Sequence, residues 1–303
     1  MMNFLRNLYQ ESIFFNVVCC VATGVLALLL IRAGFVLSPE ADVLEVTWVA
    51  LLVSGVFYAC FLFPIKGVSP VKSELSKNYP LLFLVASFTS LGLACVFYVL
   101  KFTDPGIVKL ISRADVVFVA ILSVLFLGER ITARELFSCL LVVFCFFLLV
   151  SSTGEISLLH AFLVLLQGFL YALQSFLVKK RVSQVDPVIF SFLRGMFTVL
   201  LISVFYLPFS QEFSFSWLTV LLLALSQLFG FYLYRVFYFQ AHKICPIYRL
   251  HVYLLLTPVI LLFASYFVFD EQLTFLKLLG AFTVLLGVYL FARFGYQKKK
   301  SLV

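Results

Sequence analysis

Two stretches with the same acidic centre decide the fold: FLGERIT at Phe126–Thr132 and FVFDEQLT at Phe267–Thr274. When Glu129 is placed on Glu271, an offset of 142 residues, Ser123 also meets Ser265 and Leu136 meets Leu278. Apolar residues align with apolar residues for most of the surrounding window, and each stretch joins two apolar segments. The pattern indicates a chain built from two related halves, which we place at residues 1–152 and 153–303.

The composition predicts an integral membrane protein. Of the 303 residues, 64% are hydrophobic and only 12% are charged, whereas soluble domains carry about 25% charged residues. The mean hydropathy of +1.14 leaves too little polar surface for a water-facing fold of this size. The seven cysteines lack the paired spacing of a metal site, so we interpret them as packing residues and expect no metal or cofactor.

A bilayer core needs about 20 apolar residues in each crossing helix. Ten segments meet this requirement, and turn-forming residues such as Asn78-Tyr79-Pro80, Asp104-Pro105, Asp186-Pro187 and Cys245-Pro246 separate several of them. The fold class is therefore an all-α membrane protein with ten transmembrane helices. The predicted spans are 13–37, 46–64, 80–100, 105–127, 133–152, 156–178, 187–208, 214–240, 246–269 and 274–294.

The distribution of Lys and Arg predicts the orientation. With the N-terminus in the cytoplasm, fourteen basic residues fall on the inner side and three, Arg32, Lys101 and Lys277, on the outer side. This bias places both termini in the cytoplasm of a multi-pass protein of the cytoplasmic (inner) membrane. Five helices in each half is an odd number, so the halves have opposite orientations. Such a five-plus-five inverted repeat is typical of carriers that work by alternating access.

The segments around the two acidic stretches resemble a known family. YVLKFTDPGIVKLISRADVVFVAILSVLFLGERIT (Tyr98–Thr132) and AHKICPIYRLHVYLLLTPVILLFASYFVFDEQLT (Ala241–Thr274) are similar to the EamA-type half-domain of the drug/metabolite transporter superfamily. The resemblance implies a transporter and leaves the substrate open. The family's mid-helix Pro is present as Pro258 in the ninth helix, while the fourth helix has Ala114-Asp115-Val116 instead, which leaves its kink unsupported. We interpret Glu129 and Glu271 as structural hairpin residues.

The five basic residues that are not assigned to either side lie within predicted spans: Lys109, Arg113, Arg194, Arg235 and Arg249. Asp115 is the acid at similar depth, and His251 occupies the position in the second half that matches Lys109. Charges inside a membrane are costly, and those that occur generally face a bundle interior or a substrate path. At about 1.5 Å per residue, Arg113 falls near the midplane. These seven residues are our candidate substrate-binding residues, although Arg194, Arg235 and Arg249 are also near enough to the inner surface to contact lipid headgroups.

Polar and aromatic residues of the third, sixth and eighth spans are candidates to line the same path, or simply to bond a neighbouring helix. They are Tyr98, Gln167, Tyr171, Gln174, Gln227 and Tyr234.

The predicted function is secondary-active transport of a small metabolite that bears a carboxylate or phosphate or is zwitterionic. The surplus of basic residues favours an anionic group on the ligand. An intramembrane enzyme and a passive channel are the alternatives, but a catalytic pattern, a Walker motif and a filter motif are not found in the sequence. We expect a small molecule and the lipid bilayer as partners, and no nucleic acid. Two roles for Asp115 are open: binding a coupling proton and balancing the charge of Arg113. Exchange of one solute for another, without an ion, is an equally open mode of transport.

Overall fold

The structure is a computed structural model. It describes residues 9–38, 43–103, 105–112, 115–127, 133, 136–137, 140, 157–206, 216–270, 273–275, 278–283, 285–287 and 289–290.

The described part of the first half forms five helices. They are α1 (Ile13–Leu37), α2 (Val43–Lys66), α3 (Val68–Phe102), α4 (Pro105–Ser112) and α5 (Asp115–Leu127).

The described part of the second half is also helical. Its elements are α6 (Leu158–Arg181), a 3-10 turn (Val182–Gln184), α7 (Pro187–Tyr206), α8 (Trp217–Gln227), a π-helical segment (Leu228–Leu233), α9 (Tyr234–Ile244), α10 (Ile247–Tyr253) and α11 (Leu256–Phe269).

Seven stretches of the described residues are long and apolar enough to cross a membrane. They coincide with the first, second, third, sixth, seventh, eighth and ninth predicted spans, and shorter apolar helices lie in the fourth and tenth. The fifth predicted span, 133–152, lies almost entirely outside the described residues. The membrane class is thus confirmed, and the count of ten spans stays a prediction.

One expected break between the second and third spans is wrong. The turn predicted at Asn78-Tyr79-Pro80 does not form, because α3 runs without interruption through Pro80. The Asn78 amide donates to Glu74 Oε1 at 3.0 Å, one turn earlier on the same helix, instead of capping a backbone turn. The chain turns at Gly67, whose φ of 75° is readily adopted by glycine.

The Asp186-Pro187 pair begins α7, as its turn chemistry predicts. Asp186 Oδ1 accepts from the backbone N–H of Val188 at 2.9 Å, while Pro187 occupies the first helical position. Oδ2 accepts from Lys66 Nζ at 2.8 Å, which ties the end of α2 to the start of α7. Burial by itself would raise the pKa of the Asp186 carboxyl, but these hydrogen bonds outweigh burial and its pKa lies below the ordinary value. The carboxyl is therefore ionised near neutral pH.

The ninth predicted span is divided into α10 and α11 at Leu254 and Leu255. Pro258 has no backbone N–H to donate to the Leu254 carbonyl, and that carbonyl instead accepts from Thr257 at 3.0 Å. In the fourth span, α4 ends at Ser112 and α5 begins at Asp115, with residues 113–114 outside the described part. The ninth span thus consists of two helical pieces that meet close to its proline.

Helix packing is similar in the two halves. Helix α3 packs against α6 and α7, and its counterpart five spans later, formed by α8, the π segment and α9, packs against α1 and α2. Helices α4 and α5 pack against α6, just as α11 packs against α1. These contacts between described spans are therefore repeated when the first-half and second-half helices exchange places. The interface between the halves is the centre of the bundle.

Candidate functional site

A cavity of about 140 Å³ lies at this interface. One water needs about 10–15 Å³ on a comparable measure, so the cavity has room for a small metabolite. Its apolar wall comes from α1 and α3, including Leu28, Ile31, Leu93 and Phe97. Its polar wall consists of Lys109, Ser112, Asp115, Gln167, Tyr171, Ser175, Ser226, Gln227, Tyr234, Arg235, Tyr238 and His251.

Arg235 is a cation of this wall, and its guanidinium lies among three tyrosine rings. It lies over the rings of Tyr238, Tyr171 and Tyr234, with the guanidinium carbon 5.0, 5.1 and 5.6 Å from their centroids. The side chain is 7% exposed, and within the described part of the chain it forms no hydrogen bond or ion pair. Aromatic faces stabilise a cation without consuming its N–H donors. Arg235 therefore keeps its donors available for oxygens that enter the cavity.

A chain of polar contacts runs along the same wall, next to Arg235. Asp115 Oδ2 lies 3.4 Å from His251 Nδ1, and His251 Nε2 lies 2.7 Å from the Tyr238 hydroxyl. That hydroxyl also contacts the Ser175 hydroxyl, which is 2.7 Å from the carbonyl oxygen of Tyr171. The contacts link α5, α10, α9 and α6, so side chains of four helices meet in one chain of polar contacts. We call these four side chains the Asp115–Ser175 chain.

His242 lies one turn beyond Tyr238 on α9. Its ring centroid is 4.3 Å from that of Tyr238 and 6.4 Å from that of His251. The side chain is fully buried, and neither ring nitrogen has a hydrogen-bond partner among the described residues. Below it, Lys179 Nζ donates to the carbonyl oxygens of His242 and Cys245 at 2.5 and 2.8 Å. Lys179 thus ties the end of α6 to the end of α9.

The structure brings together six of the predicted binding residues: Lys109, Asp115, Tyr171, Tyr234, Arg235 and His251. Gln167 and Gln227, which we also expected near the path, line the same cavity. Arg113 lies outside the described residues, as do the two hairpin glutamates, Glu129 and Glu271. Their predicted roles stay predictions.

Arg194 and Gln174 belong to a separate buried network. Arg194 donates to the Phe231 carbonyl at 2.8 Å and to the Thr89 hydroxyl at 3.3 Å, and its guanidinium lies 3.9 Å from the Phe231 ring centroid. Thr89 in turn donates to Gln174 at 2.8 Å. Neither Arg194 nor Gln174 lines the cavity. Since the acceptor of Arg194 belongs to the π segment, the network holds that segment against α3 and α7.

Tyr98 and Arg249 also lie away from the cavity wall. Tyr98 is 43% exposed, and its ring packs against Phe102 and His160 at centroid distances of 5.4 and 5.9 Å. Arg249 is half-buried and donates to the Tyr248 hydroxyl at 3.2 Å. Fewer predicted cations thus line the cavity than the sequence count implied.

Sequence reasoning did not select Ser175, Tyr238 or His242. A signal was available: Gln167, Tyr171 and Ser175 recur every fourth residue on α6, and Tyr234, Tyr238 and His242 do so on α9. Residues four apart share one face of a helix, so each set forms a polar stripe. Two polar stripes on apolar helices indicate that the helices face each other across a polar space.

The chain matches known proteins at two levels. The sequence profile of the EamA-like transporter family matches residues 12–151 and again residues 158–293. No curated protein matches the chain. A solved structure titled "Crystal structure of protein" is similar to it with a TM-score of 0.68 and 13% sequence identity, over 89% of this chain and 96% of that one; at this identity the likeness concerns the fold alone. Because the family profile covers nearly all of the sequence in two copies, the chain belongs to the EamA-like transporter family.

Proposed function

We propose that the chain is a secondary-active carrier that moves a small carboxylate- or phosphate-bearing, or zwitterionic, metabolite across the cytoplasmic membrane by alternating access. It has ten transmembrane helices in two halves, residues 1–152 and 153–303, with both termini in the cytoplasm. The proposed substrate class is supported by Arg235, whose buried guanidinium lies among three tyrosines and has donors available for a ligand.

The helix packing supports a rocking mechanism. The contact of α3 in the first half with α6 in the second is matched by the contact of the α8–α9 span in the second half with α1 in the first. Two halves packed in equivalent ways can exchange their arrangements, so that a central site opens first to one side and then to the other. The cavity is lined by helices of both halves, which is where such a site is expected.

The charges on the cavity wall favour an anionic group on the ligand. Lys109 and Arg235 line the cavity, and Asp115 is the carboxylate in the described part of that wall. Arg235 has a planar fork of donors that fits two oxygens of a carboxylate or phosphate. A zwitterion is compatible with the same wall, since the wall carries both a carboxylate, Asp115, and a guanidinium, Arg235.

A ligand-stabilisation screen tests the proposed substrate class. Purified protein is heated with carboxylates, phosphorylated compounds, zwitterions and organic cations, because a ligand of the folded state raises the melting temperature by mass action. We expect carboxylates, phosphates or zwitterions to raise it. Arg235→Met should keep the fold but weaken binding at least tenfold, since a charge-assisted pair contributes about 1.5–3 kcal/mol.

Arg249→Met is the matched control, because it removes an arginine from a neighbouring part of the fold that does not line the cavity. It should leave the stabilising effect of the ligand unchanged. Stabilisation by organic cations alone, or unaltered binding in a folded Arg235→Met protein, would contradict the proposed substrate class. Counterflow of the stabilising compound in vesicles then distinguishes a carrier from a channel.

A further inference from the structure

The cavity wall is divided between apolar and polar helices. Of the described residues that line it, the eight contributed by α1 and α3 are all apolar. The six larger ones are Leu28, Ile31, Leu93, Val96, Phe97 and Leu100. The polar residues, among them Arg235 and the Asp115–Ser175 chain, come from the other helices. A ligand in the cavity therefore meets chemically different surfaces on different helices.

The division does not arise because α1 and α3 lack polar residues. Thr23 lies on α1, Thr89 and Ser90 lie on α3, and none of the three lines the cavity. Thr23 and Ser90 each donate to a backbone carbonyl one turn earlier, at 2.7 and 2.9 Å, and Thr89 belongs to the buried network of Arg194. These polar groups are bonded elsewhere, so both helices present an apolar face to the cavity.

Arg235 lies between the two places where the apolar helices join the polar wall. A Cβ atom added at Gly24 of α1 would lie 3.4 Å from the Tyr234 ring, and one added at Gly92 of α3 would lie 2.8 Å from the Tyr171 ring. Both rings therefore pack directly on the backbone of an apolar helix. The same two rings flank the Arg235 guanidinium, with centroids at 5.6 and 5.1 Å. The guanidinium is thus adjacent to the start of both apolar faces.

Both apolar faces extend from these glycines toward the C-terminal ends of their helices, as far as Ile31 on α1 and Leu100 on α3. These residues are seven and eight positions beyond the glycines, so each face is about 10–12 Å long. Because α2 is the single span between α1 and α3, the two helices run in the same direction through the membrane. The two faces therefore lie on the same side of Arg235.

An apolar wall selects against polar groups on a ligand. The wall's side chains have no donor or acceptor, and its backbone groups are bonded within α1 and α3. A hydroxyl or phosphate placed there would lose its hydrogen bonds to water without replacement. A hydrocarbon placed there gains about fourfold in affinity for each methylene that leaves water. Selection for charge at Arg235 and selection for apolar surface along α1 and α3 thus act on different parts of one ligand.

We infer that the substrate is an amphipathic anion with one charged end: its carboxylate or phosphate binds Arg235, and a hydrocarbon body packs against α1 and α3. The inference rests on the proposed function, because it narrows the substrate class proposed there. The cavity of about 140 Å³ holds about 9–14 waters, which corresponds to a ligand with a similar number of non-hydrogen atoms. Gln167 and Gln227 line the cavity as well, so the body can carry an amide or hydroxyl directed toward these amides.

A ligand with two charged ends is the alternative occupant. Lys109 lines the same cavity, so a dicarboxylate of suitable length can contact both Lys109 and Arg235. Such a ligand would leave the apolar faces of α1 and α3 without an apolar partner. The division of the wall therefore favours a single charged end.

Two series of acids distinguish these occupants. Melting temperatures of the purified protein are measured with straight-chain monocarboxylates of two to eight carbons, with dicarboxylates of four to eight carbons and with gluconate, and are converted to dissociation constants by mass action. Monocarboxylates should bind about fourfold more tightly for each added methylene until the cavity is filled, and hexanoate should bind at least about tenfold more tightly than adipate or gluconate. Arg235→Met should weaken binding throughout the monocarboxylate series, which separates binding from partition of the longer acids into detergent.

The outcomes separate this inference from the proposed function. Tightest binding by dicarboxylates or gluconate would overturn the inference and leave the proposed anionic substrate standing. Stabilisation by none of the anions would contradict the proposed function and the inference together.

Val96→Thr tests the apolar wall, because it replaces a methyl group with a hydroxyl at nearly the same volume. It should weaken hexanoate binding about fourfold, the value of one buried methyl group, and leave acetate binding unchanged because acetate has no hydrocarbon body. Val18→Thr is the matched control, since Val18 is 47% exposed and does not line the cavity. Equal hexanoate affinities in the two variants would contradict contact between the hydrocarbon body and this wall.

Photolabelling reports the orientation of the ligand directly. A hexanoate analogue with a diazirine on its fifth carbon is irradiated in the protein, and the labelled peptides are identified by mass spectrometry. The label should be found on α1 or α3, at residues such as Leu28 and Val96, and excess hexanoate should remove it. Labelling confined to α6 or α9 would show that the hydrocarbon end faces the polar wall, and would overturn the inference.

Discussion

At the scale of single residues, two buried arginines have opposite environments, although the sequence places them at a similar depth in the membrane. Arg194 is fully buried, and its Nη1 and Nη2 donate to the Thr89 hydroxyl and the Phe231 carbonyl. Arg235 has tyrosine faces around it and its donors available. A guanidinium that is already bonded stabilises the fold, whereas one with free donors can bind a ligand.

This contrast predicts opposite effects for the same substitution. Arg194→Met should lower the stability by about 1–3 kcal/mol, because the Phe231 carbonyl of the π segment loses its partner in a buried place. It should leave ligand stabilisation intact. Thermal denaturation with and without the ligand measures both quantities. An Arg194→Met protein that keeps its melting temperature and loses ligand stabilisation would show that Arg194 binds the substrate, as the sequence suggested.

At the scale of elements, the π segment Leu228–Leu233 depends on close approach to two neighbouring helices. It carries Tyr232, whose ring is fully buried and stacks on Tyr58 with centroids 5.0 Å apart. The ring lies directly against Gly195 of α7 and near Gly55 of α2. A Cβ atom at Gly195 would overlap the Tyr232 ring, so the absence of a side chain at this position creates the space that the ring occupies.

Gly195→Ala should therefore destabilise the protein by about 1–3 kcal/mol, the usual range for overpacking a core. Gly168→Ala is the matched control, because the nearest atom to its added Cβ would be the Ser112 carbonyl oxygen at an ordinary 3.4 Å. Both variants are compared by thermal unfolding in the same detergent. Equal melting temperatures would mean that Tyr232 has room to move and that the segment tolerates rearrangement.

At the scale of the whole molecule, the site exists because two halves meet. Residues of α1, α3, α4 and α5 come from the first half, and residues of α6, α8, α9 and α10 come from the second. In the proposed alternating-access mechanism, the equivalent packing of the halves lets the cavity open to either side in turn. The proposed ten-span, inverted arrangement predicts on which side of the membrane each connection between spans lies.

Reporter fusions check that prediction. Fusions after Lys77, Arg181 and Val303 should read cytoplasmic and one after Glu155 should read external, because the excess of Lys and Arg directs those connections inward. A fusion after Ser38, between the first two spans, serves as an external control. A cytoplasmic signal after Glu155 would mean that the two halves have the same orientation.

The sequence by itself determined the membrane class, the boundaries of most helices and the duplicated architecture. These follow from local properties: runs of apolar residues, turn residues such as Asp186-Pro187 and Cys245-Pro246, and the repeated acidic stretches. Even here Pro80 was misleading, since α3 continues through it. Local patterns indicate where a helix can end, but packing decides whether it does.

Only the tertiary structure decided which polar residues form the site. The sequence indicated that Arg194, Arg235 and Arg249 are similar in depth, while the fold places only Arg235 of the three on the cavity wall. It also joined Asp115, His251, Tyr238 and Ser175, which come from four different helices. The physical reason is that helical periodicity determines the face on which a side chain lies, whereas the partner on that face depends on contacts between residues far apart in the chain.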